Sequence, residues 1–265
     1  MDHFVGYALL LTTIAGCATG IGSAVAYFAH HTKKNVLSLA LGFSAGVMIY
    51  VSFVELYRHS DQSLSLFYGD VTGKTIAALS FFCGMLLIAL IDFFVPSYEN
   101  PHEAALVEEI ASGVNPRKLH RLGLMTAVAI TIHNFPEGMA IFFAASTDLS
   151  IAIPIAVAIA LHNIPEGISI SVPIYYATGS RKKAFWYSFL SGLSEPLGAI
   201  IGYLVLRPFL SEQLMGIVFA MVAGIMVFIS LDMLIPHAKK YSTGHQSVYG
   251  LLGGMALMAA TLVFL

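Results

Sequence analysis

Long apolar runs separated by short polar connections recur along the whole chain, and this alternation predicts eight membrane-spanning helices. The runs cover residues 4–29, 36–57, 74–95, 121–145, 149–177, 184–206, 212–235 and 246–265. A helix needs about 20 mostly apolar residues to cross the hydrocarbon core. In lipid, only helices and closed barrels satisfy every backbone polar group, and these runs are too long and too continuously apolar for barrel strands. The expected fold is therefore all-α, a polytopic membrane protein with eight transmembrane helices. The chain reads as a single transmembrane domain over residues 1–265, with one longer polar loop at about 96–120.

Composition agrees. Of the 265 residues, 57% are hydrophobic and only 11% are charged, against roughly a quarter charged in a soluble domain. The mean hydropathy is +0.80. A net charge of −2 with no basic tract gives nucleic acid nothing to bind. Cys17 and Cys83 both lie inside apolar runs, which does not suggest a disulfide framework. The sequence Ile14-Ala-Gly-Cys17 imitates a lipoprotein cleavage box. However, no basic residue precedes it and the apolar run continues toward Phe28, so it is assigned to the first span.

Lys and Arg fall unevenly between the connections. Lys33, Lys34, Arg117, Lys118, Arg121, Arg181, Lys182, Lys183, Lys239 and Lys240 share one side, and only Arg58, Lys74 and Arg207 fall on the other. By the positive-inside rule the richer side is cytoplasmic. With eight spans, both termini then point outward.

The informative chemistry sits inside spans four and five. Residues 127–141 and 156–170 align at an offset of 29 with ten of fifteen positions identical, including His133-Asn134-Phe-Pro-Glu137-Gly and His162-Asn163-Ile-Pro-Glu166-Gly. Within each copy His and Glu are four residues apart and Asn and Glu three, so all three share a helical face. The short connection makes the two helices antiparallel neighbours, with both clusters near mid-depth. Pro136 and Pro165 leave the carbonyls of Ile132 and Leu161 without a helical donor. Span six adds Glu195-Pro196 after Ser191 and Ser194.

A carboxylate at a helix centre costs roughly 2.5–3.5 kcal/mol, so three unpaired ones cost on the order of 8–10 kcal/mol. No Lys or Arg lies at matching depth to neutralise them. A bound cation supplies the missing charge, and imidazole, carboxylate and amide oxygen together suit zinc, iron(II) or manganese. Mutual pairing for helix packing would explain a single polar residue, but not a duplicated cluster plus a third glutamate. Glu55 with His59, and Asp232 with His237, lie near expected helix ends as either access-path ligands or interfacial groups. Met48 reads as packing and Asp92 as interfacial. His30, His31, His102 and His120 form a scattered cytoplasmic set. Gly16-x-x-x-Gly20 and Gly250-x-x-x-Gly254 read as close helix packing.

The paired motif resembles the signature of the ZIP metal transporters. Asn at the second position of both copies and the short, histidine-poor loop are most similar to their bacterial ZupT branch. The resemblance covers the whole chain and implies a binuclear site between helices four, five and six. One position would use His133, Glu137, His162 and Glu166. The other would use Asn134, Glu137, Asn163, Glu166 and Glu195, with Glu137 and Glu166 bridging. It also implies uptake through the cytoplasmic (inner) membrane by alternating access without ATP. The cargo would be Zn²⁺ with Fe²⁺, Mn²⁺, Co²⁺ and Cd²⁺ also carried, no resident cofactor is implied, and a homodimer fits. Where that family often ends span two with Glu-x-x-Pro, this chain has Glu55-Leu-Tyr-Arg58, which bears on the outer entrance alone. An intramembrane metalloenzyme using the same cluster is the rival reading. It lacks a His-Glu-x-x-His motif and a base that is not better used as a ligand. A proton-coupled carrier of organic substrates leaves the His and Asn partners unexplained, and a metal sensor has no effector domain to act through.

Overall fold

A computed structural model describes residues 2–28, 34–94, 116–209 and 211–264. The polar loop expected at about 96–120 lies mostly outside them, as do His30, His31, His102 and the side chains of Asp92 and His120. Among the described residues the chain is entirely helical. The helices are α1 (Asp2–Phe28), α2 (Lys34–Val51), α3 (Arg58–Tyr68), α4 (Asp70–Phe94), α5 (Pro116–Thr147), α6 (Leu149–Thr178), α7 (Arg181–Gly192), α8 (Ser194–Leu206), α9 (Glu212–Ile229), α10 (Ile235–Lys240) and α11 (Gln246–Phe264).

Two spans run longer than their hydropathy suggests. The second passes without a break through a π-helical segment, Ser52–Tyr57, into α3, and turns only at Gly69, whose φ of 84° suits a residue without Cβ. Arg58–Tyr68 is polar on one side but packs Leu64 against Gly216 of α9, and this amphipathic pattern escapes an average over hydropathy. The seventh continues through a second π-helical segment, Ser230–Leu234, to Lys240. Glu55 and Asp232 therefore sit in wide turns inside continuous helices and His59 lies beyond the first of these, rather than near a helix end, whereas His237 does fall in the last turn before Lys240. Span six is broken near its middle at Leu193, between α7 and α8.

Seven described helices are long and apolar enough to cross a membrane, one fewer than the eight expected. The remaining one is α5, whose 32 residues suffice in length. Leu86, Leu90, Leu197, Leu204 and Val205 are exposed, while His133, Asn134, Glu137, His162, Asn163, Glu166 and Glu195 are buried. Apolar side chains outside and polar ones inside is the arrangement a hydrocarbon solvent selects.

Glycines mark where helices touch backbone to backbone. A methyl built on Gly138 of α5 would lie 2.0 Å from the Glu195 carbonyl oxygen of α8, and one on Gly198 of α8 2.3 Å from that of Phe135. Gly22 of α1 meets Ile164 of α6, Gly167 of α6 meets Thr19 of α1, and Gly16 of α1 meets Gly192 of α7 in the same way. These contacts tie α1, α5, α6, α7 and α8 into one set. Gly42 and Gly46 of α2 meet α11, and Gly250 and Gly254 of α11 meet α2. Gly84 of α4 meets Met221 of α9, Gly224 of α9 meets Phe81 of α4, and Gly73 of α4 meets Ser65 of α3, which continues the α2 span. Together these tie α2, α3, α4, α9 and α11 into another set. None of these backbone contacts joins the two sets. Where α5 and α8 face α4 and α9, an apolar crevice of about 530 Å³ separates them, lined by Pro136, Met139, Leu197, Leu87 and Met221 among others.

Candidate metal centre

The two copies of the repeated motif build one buried cluster because α5 and α6 are antiparallel. The turn between them is fixed by Asp148, whose carboxylate accepts from the Ser150 N–H at 2.8 Å. That backbone hydrogen bond holds the exposed Asp148 carboxyl below the usual carboxylate range. Within each helix the i, i+4 spacing turns His and Glu to the same side, so His133 Nε2 lies 3.2 Å from Glu137 Oε1 and His162 Nε2 lies 2.9 Å from Glu166 Oε1.

Across the helix pair the same four atoms meet again. His133 Nε2 is 3.0 Å from Glu166 Oε1, His162 Nε2 is 3.7 Å from Glu137 Oε1, and the two Nε2 atoms are 3.2 Å apart. A tetrahedral ion with bonds of about 2.0–2.1 Å spaces its donors roughly 3.3 Å apart. The five separations bracket that value. His133, His162 and Glu166 by themselves already bring one donor atom each within 4.8 Å of one another.

The asparagines and Glu195 gather on an adjoining side. Asn163 Nδ2 donates to Glu195 Oε1 and, at 2.8 Å, to the Ala15 carbonyl of α1. Asn134 can turn its amide so that Nδ2 donates to Glu166 Oε2 at 3.2 Å and to the Ile130 carbonyl at 3.1 Å. Glu137 Oε2, Asn163 Oδ1 and Glu195 Oε2 are buried with no hydrogen-bond donor among the described residues. A buried acceptor left unpaired costs about 1–3 kcal/mol. Glu137, Glu166 and Glu195 are each at most 1% exposed, and no described Lys or Arg is buried near them or elsewhere. This is a donor set of net negative charge, rich in oxygen and imidazole nitrogen, without a cation of its own.

All seven residues singled out from the sequence thus fall in one region, at the junction of α5, α6 and α8. Glu195 arrives there because α8 packs on α5 through Gly138 and Gly198. Glu55, His59, Asp232 and His237 are not among the described residues whose ligating atoms converge there. Two participants carry no sequence signal: the Ala15 carbonyl, and Ser44 of α2, whose hydroxyl is hydrogen-bonded to His162 Nδ1. The spacing of Ser44 in its own helix says nothing of a partner 118 residues away.

Comparison with known proteins points the same way. A family model described as ZIP Zinc transporter matches residues 95–262. The chain is 56% identical over 268 residues to a protein named Zinc transporter ZupT from Oceanobacillus iheyensis, covering 100% of both chains. It is 56% identical over 263 residues to the protein of that name from Streptococcus mutans, covering 99% of both, and 54% identical over 259 residues to that from Chlorobium luteolum, covering 97% of both.

Proposed function

The chain belongs to the ZIP zinc transporter family, and on that premise we propose that it carries zinc ions through a membrane by way of the cluster on α5, α6 and α8. One observation carries the reading. Glu137 Oε1 and Glu166 Oε1 each lie 2.9–3.7 Å from both His133 Nε2 and His162 Nε2, which are themselves 3.2 Å apart, all buried and with no described Lys or Arg buried beside them. Mutual pairing would use up two imidazoles and two carboxylates but leaves Glu195 and the free oxygens of Glu137 and Asn163 uncompensated. A divalent ion compensates them. The relatives carry a transporter's name rather than an enzyme's.

The finer scheme has two adjacent ions. His133, Glu137, His162 and Glu166 hold one; Asn134, Asn163 and Glu195 hold the other, with Glu137 and Glu166 bridging. Glu166 supports this, since Oε1 reaches the imidazoles and Oε2 lies beside Asn134. Nitrogen and oxygen donors without thiolate also accept Fe²⁺, Mn²⁺, Co²⁺ and Cd²⁺, so the range is broad. The setting is the bacterial inner membrane. Counting α5, eight helices span it with both termini outward, and the protein assembles as a homodimer.

Transport proceeds by alternating access. Zinc arrives from outside, exchanges water for imidazole and carboxylate, and is exposed to the cytoplasm when its helices move. The glycine contacts suggest that α1, α7 and α8 travel with α5 and α6, against α2, α3, α4, α9 and α11. The crevice between the sets leaves space for that displacement. No ATP-binding motif is present in the sequence, so the ion gradient drives the cycle.

Radioactive zinc uptake into liposomes, wild type against Glu166→Ala, tests the proposal. Saturable uptake that is lost in the variant supports a carrier whose path runs through the cluster. Zinc binding without accumulation in the wild type would reject transport and leave a static metal site.

A further inference from the structure

The two histidines of the repeated motif are not held alike, and the difference involves the other helix set. His162 Nδ1 is hydrogen-bonded to the hydroxyl of Ser44, a fully buried residue of α2. His133 Nδ1 is equally enclosed but has no hydrogen-bond partner among the described residues. A neutral imidazole carries one N–H and one lone pair, and a metal takes the lone pair. When Nδ1–H donates to Ser44 Oγ, Nε2 must present its lone pair, and Nε2 is the atom that faces Glu137, Glu166 and His133. In that tautomer the Ser44 contact sets the ring plane of His162 and turns the Nε2 lone pair to the cluster, as partners of ligating imidazoles do. Nothing does the same for His133.

His162 lies on α6, in the set tied together through Gly22, Gly167, Gly138 and Gly198. Ser44 lies on α2, bound through Gly42 and Gly46 to α11. We propose that Ser44 is a positioning residue that makes zinc affinity depend on the relative placement of the two helix sets. With the sets as they stand here, Ser44 holds His162 in its ligating form and the site binds tightly. When the α5–α6 set shifts, the hydrogen bond breaks, Nδ1–H is left buried without an acceptor, and His162 weakens as a ligand. Release follows from the movement itself and requires no change in the ligands' identity. His133, free on its outer nitrogen, travels with the ion.

This inference rests on the metal-site reading above, so the experiment separates the two. Zinc binding in detergent and the KM and maximal rate of liposome uptake would be measured for wild type, Ser44→Ala, Ser52→Ala and His162→Ala. Ser52 is the matched control: a buried hydroxyl on the same continuous helix with no hydrogen-bond partner. Loss of a partner behind a metal ligand typically weakens metal binding 10–100-fold. Ser44→Ala is expected to weaken binding and raise KM by about that factor, with the maximal rate within roughly twofold of wild type. Ser52→Ala should match wild type in both, and His162→Ala should lose binding. Unchanged affinity in Ser44→Ala alongside a defective His162→Ala overturns the role of Ser44 and leaves the site standing. Equal weakening in Ser44→Ala and Ser52→Ala overturns it too, since any lost hydroxyl would then suffice. Wild-type binding in His162→Ala overturns the metal-site reading itself.

Discussion

Replacing Glu166 by Gln removes one negative charge from the cluster while keeping the side chain's shape. In the structure Glu166 Oε1 is 3.0 Å from His133 Nε2 and 2.9 Å from His162 Nε2, so it is central to the donor set. A ligand that binds only the folded state stabilises it by RT ln(1 + [L]/Kd), about 2.7 kcal/mol at a hundred times Kd. For a chain of this length each kcal/mol moves Tm by about 2–4 °C, so the wild type in such a zinc concentration gains roughly 5–11 °C. Partners behind a metal ligand are worth 10–100-fold in affinity, so a direct ligand is worth at least about 100-fold. The same zinc concentration is then only about equal to the variant's Kd, and the gain falls to about 0.4 kcal/mol, or 1–2 °C. Thermal unfolding of both proteins in detergent, with zinc and with a chelator, reads this directly. If Glu166 served only to pair with imidazole, Glu166→Gln would be destabilised by a zinc-independent amount. An equal zinc-induced shift in both proteins would refute the metal-ligand assignment.

Three further outcomes follow from other parts of the structure. Asn134→Asp adds a charge on the Asn134–Asn163–Glu195 side of the cluster alone, so competition assays among zinc, iron(II) and manganese should show altered preference with uptake retained. Unaltered selectivity would count against that residue as a ligand. Gly138→Ala forces a methyl into the Glu195 backbone, 2.0 Å from its carbonyl oxygen, and should cost about 1–3 kcal/mol in thermal stability as well as displacing Glu195. Asp148→Ala removes the cap at the start of α6 and should lower stability by about 1 kcal/mol while leaving zinc affinity at the wild-type value.

The convergence of the candidate site residues was legible in the sequence because the chemistry is local and repeated. His133 and Glu137, and His162 and Glu166, lie one helical turn apart, and that periodicity converts directly into a shared face. Glu195 could be read because a carboxylate in an apolar run demands a partner. Gly16 and Gly250 with Gly254 were correctly read as close-packing positions: in the structure they meet backbone on α7 and α2. The extent of the second and seventh spans was not legible. Helix α3 is amphipathic rather than apolar, and the π-helical turns at Ser52–Tyr57 and Ser230–Leu234 leave no mark on hydropathy.

What the sequence determined by itself was the solvent, the helical class and the identity of the chemical cluster. Each follows from the composition or spacing of residues within one helix, where geometry is set by the chain's own hydrogen bonds. Only the tertiary structure decided which helices pack backbone to backbone, which side of the cluster faces α1, and that Ser44 stands behind His162. Those facts depend on pairs of surfaces more than a hundred residues apart, such as Ser44 with His162 or Ala15 with Asn163. Ala15 meets Asn163 where Gly22 and Gly167 let α1 and α6 approach backbone to backbone, whereas Ser44 meets His162 across two sets that no such glycine contact joins. No pattern along a single helix carries that information, because it belongs to the fit between two of them.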